Sequence, residues 1–226
     1  GSADSTPDLL ERWADSDDRI YLVRSAHIGR SAALNRGLSE SRGNYIAIID
    51  ADDPSHPQRL ALQKSMLRES DFAVIGSDVR YLSDNERPDW GDVELCGIED
   101  VTGSLTYFNP LPHSSVMYKR SWIVDVGGYR EGLASQVDWD VYIRIAEKGG
   151  RLGRTSQELA SKRIHGGQSF ENKKRIQYLK NSLIMQLSAI RKLRGGARSY
   201  LYLILRAGWG ILPQKFRTFA RVRTSR

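Results

Sequence analysis

The chain has 226 residues, 40% hydrophobic and 27% charged, with one cysteine, Cys96; this excludes a disordered or collagen-like polymer, a disulfide framework and a four-thiolate zinc site. The net charge of +7 conceals an acidic body, with 18 Lys/Arg against 26 Asp/Glu over residues 1–161, and a basic tail, with 16 against Glu171 alone over residues 162–226. No apolar stretch approaches the ~18 residues of a membrane span, and Gly1-Ser2-Ala3-Asp4 lacks the basic and apolar regions of a signal peptide.

In chain order, Thr6-Pro7 reads as an N-cap with proline at the first helical position, opening a helix through Trp13. Residues 19–23 are β-rich, 30–41 helical and closed by Arg42-Gly43, and 45–49 a continuous apolar run of the kind buried on both sheet faces. That is a parallel βαβ unit. Residues 57–69 follow as a helix with Leu60, Lys64 and Leu67 near helical spacing, and 72–75 as a strand. The alternation predicts an α/β fold: a twisted, mostly parallel sheet with helices on both faces. A sheet of that kind starts with a strand, whereas this chain opens on a loop and a helix, so the first strands are expected upstream. Residues 77–112 are rich in turn formers and read as loops around short elements. Residues 115–118 form a strand, 121–126 a short helix ended by Gly127-Gly128, and 138–148 a helix with Val141, Ile145 and Ala146 inward. From 171 to 194, Ile176, Leu179, Leu183, Leu187 and Ile190 make one apolar stripe on a basic helix.

Three groups of residues could do chemistry. Asp50-Ala51-Asp52-Asp53 follows the buried run directly. Ligands of open α/β sheets bind beyond the carboxyl ends of strands, and clustered carboxylates suit Mg²⁺ or Mn²⁺ completed by phosphate oxygens. The plain alternative is a polar loop capping the next helix. Asp138 and Asp140 flank Trp139 at a helix start; they either cap the helix or supply a general base for a hydroxyl. His165, in Arg163-Ile164-His165-Gly166-Gly167, is either a ligand or an ordinary loop hydrogen-bonder.

The pieces Asn35-Arg36-Gly37-Leu38, the run from Arg42 through Asp53, Pro57-Gln58-Arg59-Leu60, Gly127-Gly128-Tyr129, Asp138-Trp139-Asp140 and His165 stand in an order and spacing that resembles the family 2 glycosyltransferases of GT-A fold over roughly residues 1–170. The resemblance implies transfer of a sugar from a nucleotide-diphosphate donor to an acceptor hydroxyl, with inversion and with Mn²⁺ or Mg²⁺. By the same resemblance Asp50 lies near the donor's ribose or sugar, Asp52 and His165 hold the metal, and Asp138 is the general base. Arg30 and Asn35 flank the nucleotide, and Trp139 and Asp140 lie on the acceptor side. The family's acidic pair has Val137 in place of its first member here, and its first two strands precede the Gly-Ser at which this chain opens.

Two units are therefore expected: a GT-A-like domain over 1–170 and a basic amphipathic helical tail over 171–226. The expected setting is cytoplasmic, at the inner face of the membrane, with the tail on anionic lipid and a glycan or lipid-linked glycan as acceptor, in cell-surface polysaccharide or glycolipid synthesis. Aromatic residues placed among leucines suit a bilayer boundary better than base stacking, which disfavours nucleic acid as the partner. A phosphatase of the haloacid dehalogenase type fits Asp53-Pro54 poorly. A catalytically inactive GT-A-like fragment or scaffold is the other open reading.

Overall fold

The computed structural model describes residues 1–93, 97–164 and 175–211. Helices α1 (Thr6–Ser16) and α2 (Arg30–Glu40) precede strand β1 (Tyr45–Ala47), helix α3 (Arg59–Arg68) and the long strand β2 (Phe72–Leu82). Strand β3 (Ile98–Asp100) and 3₁₀ turns at Thr102–Thr106 and His113–Ser115 lead to β4 (Met117–Lys119) and helix α4 (Arg120–Asp125). Helix α5 (Val137–Glu147), strand β5 (Arg151–Arg163) and helices α6 (Arg175–Lys192) and α7 (Ala197–Ile211) complete the described chain.

The sheet runs β1-β4-β2-β5-β3. Strands β2 and β5 pair in parallel, whereas β4 pairs antiparallel with both β1 and β2, and β3 antiparallel with β5. Strands β1, β2 and β5 thus share one direction, as the α/β reading requires. The expected parallel contact between β1 and β2 is replaced, however, because β4 inserts between them in the opposite sense.

Apolar side chains cover both faces. Ala73 and Val74 of β2 join Tyr118, Leu152 and the inner face of α5 (Trp139, Val141, Tyr142, Ile145) in the larger cluster. Phe72 and Ile75 join Met66 and Leu67 of α3 and Met117 in the smaller one. Burying a side chain of this size stabilises the fold by roughly 1.5–3 kcal/mol.

Several elements depart from the reading of the sequence. Residues 19–23 make no strand: no described strand pairs with them, and without a ladder partner a β-rich run has nowhere to place its backbone groups. The run at 45–49 yields only three strand residues, with Ile49 58% exposed, because β1 is the sheet's edge. In α3 the inward side is polar at its start. Leu60 faces out, whereas Arg59 and Gln63 are buried.

Arg59 donates to Ile48 O at 2.7 Å, Val116 O at 3.2 Å, Ser55 Oγ at 2.9 Å and Gln63 Oε1 at 3.0 Å. Burial pulls its guanidinium down to about 10, still charged at neutral pH. It clamps the end of β1 to β4 and α3. Strand β5, the partner of β2 over nearly its whole length, was not expected at all, since Arg151–Arg163 alternates few apolar residues and is held by pairing on both sides.

Helix α6 buries Ser182, Met185, Gln186, Ala189 and Ile190, and Met185 and Ala189 belong to the larger cluster. Residues 175–192 are thus built into the body, and the outermost stripe residue, Ile176, is 85% exposed.

Candidate active site

The loop after β1 is pinned rather than free. Asp53 N donates to Asp50 O at 3.1 Å, closing a turn, and the buried Asp53 carboxylate accepts from Arg163 N at 2.9 Å. Pro54 O accepts from both Ser161 N (2.9 Å) and Ser161 Oγ (2.7 Å), so the segment after the turn lies along β5. With Arg59 holding Ile48 from below, the turn is fastened at both ends. Asp50 and Asp52 then stand at the wall of a cleft of about 1070 Å³.

The start of α5 lines the same cleft. Gln136 precedes the helix in the left-handed region, at φ 62 and ψ 28, a conformation that few residues other than glycine and asparagine adopt, and the helix then opens on Val137 and Asp138. Asp138 Oδ2 accepts from Asn109 Nδ2 at 2.8 Å, while Asn109 Oδ1 accepts from Leu111 N at 3.3 Å. The second bond fixes which way the amide points, so its N–H₂ faces the carboxylate. The segment carrying Asn109 sits close to β2 because Gly76 has no side chain; a Cβ there would meet Leu111 Cδ2 at 2.8 Å.

A chain of polar groups runs from the exposed Arg30 and the half-buried Asp50 to the buried His113 and Tyr129. Arg30 Nη2 is 3.8 Å from Asp50 Oδ1 and donates to His113 Nδ1 at 3.2 Å, and His113 Nε2 is 2.8 Å from the Tyr129 hydroxyl. A guanidinium can only donate, so Nδ1 is the acceptor and the ring proton sits on Nε2, facing Tyr129. The ring is 7% exposed. Burial holds it below the usual imidazole range, against the weaker opposing pull of Asp138 and Asp50 and with Arg30 pushing the same way.

A depressed histidine stays neutral in the fold while the unfolded chain takes up a proton as pH falls through about 6.5. Stability is therefore expected to fall below that pH by up to about 1.4 kcal/mol per pH unit. Urea unfolding between pH 7 and 5 checks this, the slope becoming shallower by that amount in His113→Gln.

Of the residues singled out in the sequence, the structure brings Arg30, Asp50, Asp52 and Asp138 to one cleft. Three others stand elsewhere. Asn35 grips the backbone of Tyr129, donating to its O at 2.8 Å and accepting from its N at 2.7 Å, beside Gly128, whose φ is +65 and where a Cβ would meet Asn35 Oδ1 at 2.6 Å. It thereby fixes the tyrosine that meets His113, and is a fastening residue rather than a wall of the cleft. Trp139 is 1% exposed, and its Nε1–H donates to Leu105 O at 3.2 Å, which makes it core.

Asp140 points away from the cleft, paired with Arg144 at 2.8 Å and Arg130 at 3.1 Å. The i, i+4 step to Arg144 turns it onto another side of α5 than Asp138. His165 lies outside the described residues.

Asn109, His113 and Gln136 were not foreseen. Asn109 and His113 sit at the end of the turn-rich stretch 77–112 or just beyond it, where the one local signal was their bracketing of Pro110-Leu111-Pro112, and Gln136 immediately precedes α5.

Among the described residues no three His, Cys, Asp or Glu side chains are grouped so as to hold a metal ion alone. Asp50 and Asp52 nevertheless present hard carboxylate oxygens to a cleft wide enough for a nucleotide diphosphate. That donor set fits Mg²⁺ or Mn²⁺ bound by one or two carboxylates with phosphate oxygens completing the shell.

A family model, Glycosyl transferase family 2, matches residues 1–127. The O-antigen biosynthesis glycosyltransferase WbnJ of Escherichia coli is 27% identical over 159 residues, covering 69% of this chain and 61% of that protein. The putative glycosyltransferase EpsE of Bacillus subtilis is 29% identical over 207 residues, 89% of this chain and 73% of that protein. Among solved structures, S. aureus TarS 1-349 in complex with UDP-GlcNAc superposes with a TM-score of 0.60 at 14% identity, over 85% of this chain and 59% of that one. The mannosyltransferase PcManGT of Pyrobaculum calidifontis, in complex with GDP-Man and Mn²⁺, gives 0.57 at 17% identity over 99% and 72%. The chain thus spans about three fifths of WbnJ and of the TarS structure.

Proposed function

Because the chain belongs to glycosyl transferase family 2 and has the GT-A fold, we propose that it moves a sugar from a nucleotide-diphosphate donor to an acceptor hydroxyl, with inversion. The observation that carries this reading is that Asp138 and the Asp50–Asp52 turn line one cleft, with Arg30 beside Asp50. In this reading Asp50 and Arg30 bind the donor, and the guanidinium, held by His113, offers positive charge toward the diphosphate. Asp138 is the base. A hydroxyl has a pKa far above 7 and must lose its proton as it attacks; Asp138 Oδ2 is steadied by Asn109, leaving Oδ1 for that proton.

Asp52, with Asp50 beside it, would hold a divalent cation, and His165 is proposed to join them. Bound there, the cation would neutralise charge developing on the leaving diphosphate. Holding both substrates for in-line displacement supplies the rest of the rate. The names of WbnJ and, for the metal, PcManGT support a role in surface polysaccharide or glycolipid synthesis and the use of Mn²⁺ or Mg²⁺. On the same reading the acceptor is a glycan or lipid-linked glycan met at the cytoplasmic face of the membrane.

The test is calorimetric titration of the chain with UDP and GDP, with Mn²⁺ and with EDTA. Metal-dependent binding of one nucleotide supports the reading. Failure to bind either, by a folded chain, favours a non-catalytic scaffold.

A further inference from the structure

Helix α7 is turned inside out. A surface helix in water buries its apolar stripe and exposes its charges, yet the face of α7 directed at the body carries Ser199 and Arg206 beside Leu203 and Ala207, while its larger apolar residues point out. Ser199, 2% exposed, is bonded hydroxyl to hydroxyl with Thr106 at 3.0 Å. Arg206 donates to Gln186 Oε1 at 2.9 Å and Ser182 Oγ at 2.5 Å, and lies 5.8 Å from the centre of the buried Trp139 ring. Gly210 packs against Leu179 with no room for a Cβ. These contacts hold the helix in one rotation about its axis.

The outward face is consequently apolar. Leu201, Ile204 and Leu205 are 58%, 67% and 62% exposed, and Tyr200 and Trp209 flank them at 42% and 45%. They recur at steps of three and four and so make one continuous stripe.

The charges before and after that stripe in the sequence have one sign. Arg191, Arg194 and Arg198 precede it and are exposed. Lys215, Arg217, Arg221, Arg223 and Arg226 follow it in the sequence, and Glu171 is the only carboxylate in residues 162–226. A stripe of Leu, Ile, Tyr and Trp preceded by exposed arginines, and followed in the sequence by cations alone, complements a plane of phosphates over hydrocarbon. At 15 residues the helix is about 22 Å long, short of the ~30 Å core of a bilayer, and no described helix is long and apolar enough to cross one.

We propose that the outer face of α7 is a docking surface for an anionic lipid bilayer, on which the helix lies flat with Leu201, Ile204 and Leu205 below the headgroups and the arginines among the phosphates. The surface is α7 with Arg191, Arg194 and Arg198 at its start. Helix α6, read from the sequence as part of the same membrane-binding tail, instead forms the shelf between α7 and the body. Nothing in this depends on the chemistry of the cleft.

The experiment is sedimentation of the full chain with vesicles of phosphatidylglycerol and phosphatidylcholine, and with vesicles of phosphatidylcholine alone. The expected result is binding to the anionic vesicles that weakens as salt is raised. Binding should fall at least about tenfold in a triple variant, Leu201→Asp, Ile204→Asp and Leu205→Asp, since each buried leucine or isoleucine is worth that much in hydrocarbon. A urea midpoint equal to that of the parent shows that the variant is folded, as these side chains touch solvent and not the core. A single variant, Leu205→Asp, with a several-fold loss serves if the triple variant does not fold. Equal binding by parent and variants would overturn the proposal, as would no preference for anionic vesicles. So would a dimer in vesicle-free solution that the variants dissolve, which would assign the stripe to a second copy of the chain.

Discussion

Asp138→Asn is expected to leave nucleotide-sugar affinity within about twofold of the parent while cutting turnover by roughly 10²–10⁴, the usual worth of a positioned base. The substitution keeps shape and volume. An amide at this position can still accept from Asn109 Nδ2, so the wall of the cleft stays in place and only basicity is lost. Asp138 is a partly buried side chain whose neighbours Asn109, Leu111 and Gln136 are ordered by their own hydrogen bonds or backbone conformation, so a small change there does not propagate. Steady-state kinetics with calorimetric donor affinity separates the two effects. Equal losses in affinity and rate would show that Asp138 supports the helix start instead of taking a proton.

Asp52→Asn is expected to remove metal-dependent turnover altogether, with a loss on the order of 10³ or more, because a neutral amide cannot balance a cation bound to a diphosphate. Here the affected step is donor binding as well as chemistry. Nucleotide affinity measured with Mn²⁺ should fall to the value seen with EDTA, whereas affinity measured in EDTA should not change. The turn itself survives the substitution, since it is closed by Asp53 N to Asp50 O and anchored by Asp53 to Arg163 N, neither of which involves the Asp52 side chain. Unchanged turnover in Asp52→Asn would take this residue out of the site.

Much of this was legible in the sequence where a residue's role is decided by its neighbours along the chain. Helix α1 follows from Thr6-Pro7, α2, α4 and α5 from their glycine stops and α6 from its periodicity, and the acidic turn after β1 follows from an apolar run that ends abruptly in carboxylates. What was not legible depends on partners far away in sequence. Strand β5 is polar and stands only because β2 and β3 flank it; β1 looks like an interior strand but has one neighbour among the described strands. The site divides in the same way. Asp50, Asp52 and Asp138 belong to motifs, whereas Asn109 and His113 are recognisable only once Gly76 lets their loop approach β2 and once Asn35 fixes Tyr129 from 94 positions away. Adjacency misled at Trp139 and Asp140. One helical step of ~100° from Asp138 carries Trp139 into the core, and two carry Asp140 into an ion pair.

The most direct measurement of the central claim is release of nucleoside diphosphate from a donor sugar by the parent chain, Asp52→Asn and Asp138→Asn, each with Mn²⁺ and with EDTA. The account predicts release by the parent only with Mn²⁺, none by Asp52→Asn in either condition, and from Asp138→Asn metal-dependent donor binding with release slowed by roughly two to four orders of magnitude. Release that persists in EDTA, or that survives both substitutions, would contradict it.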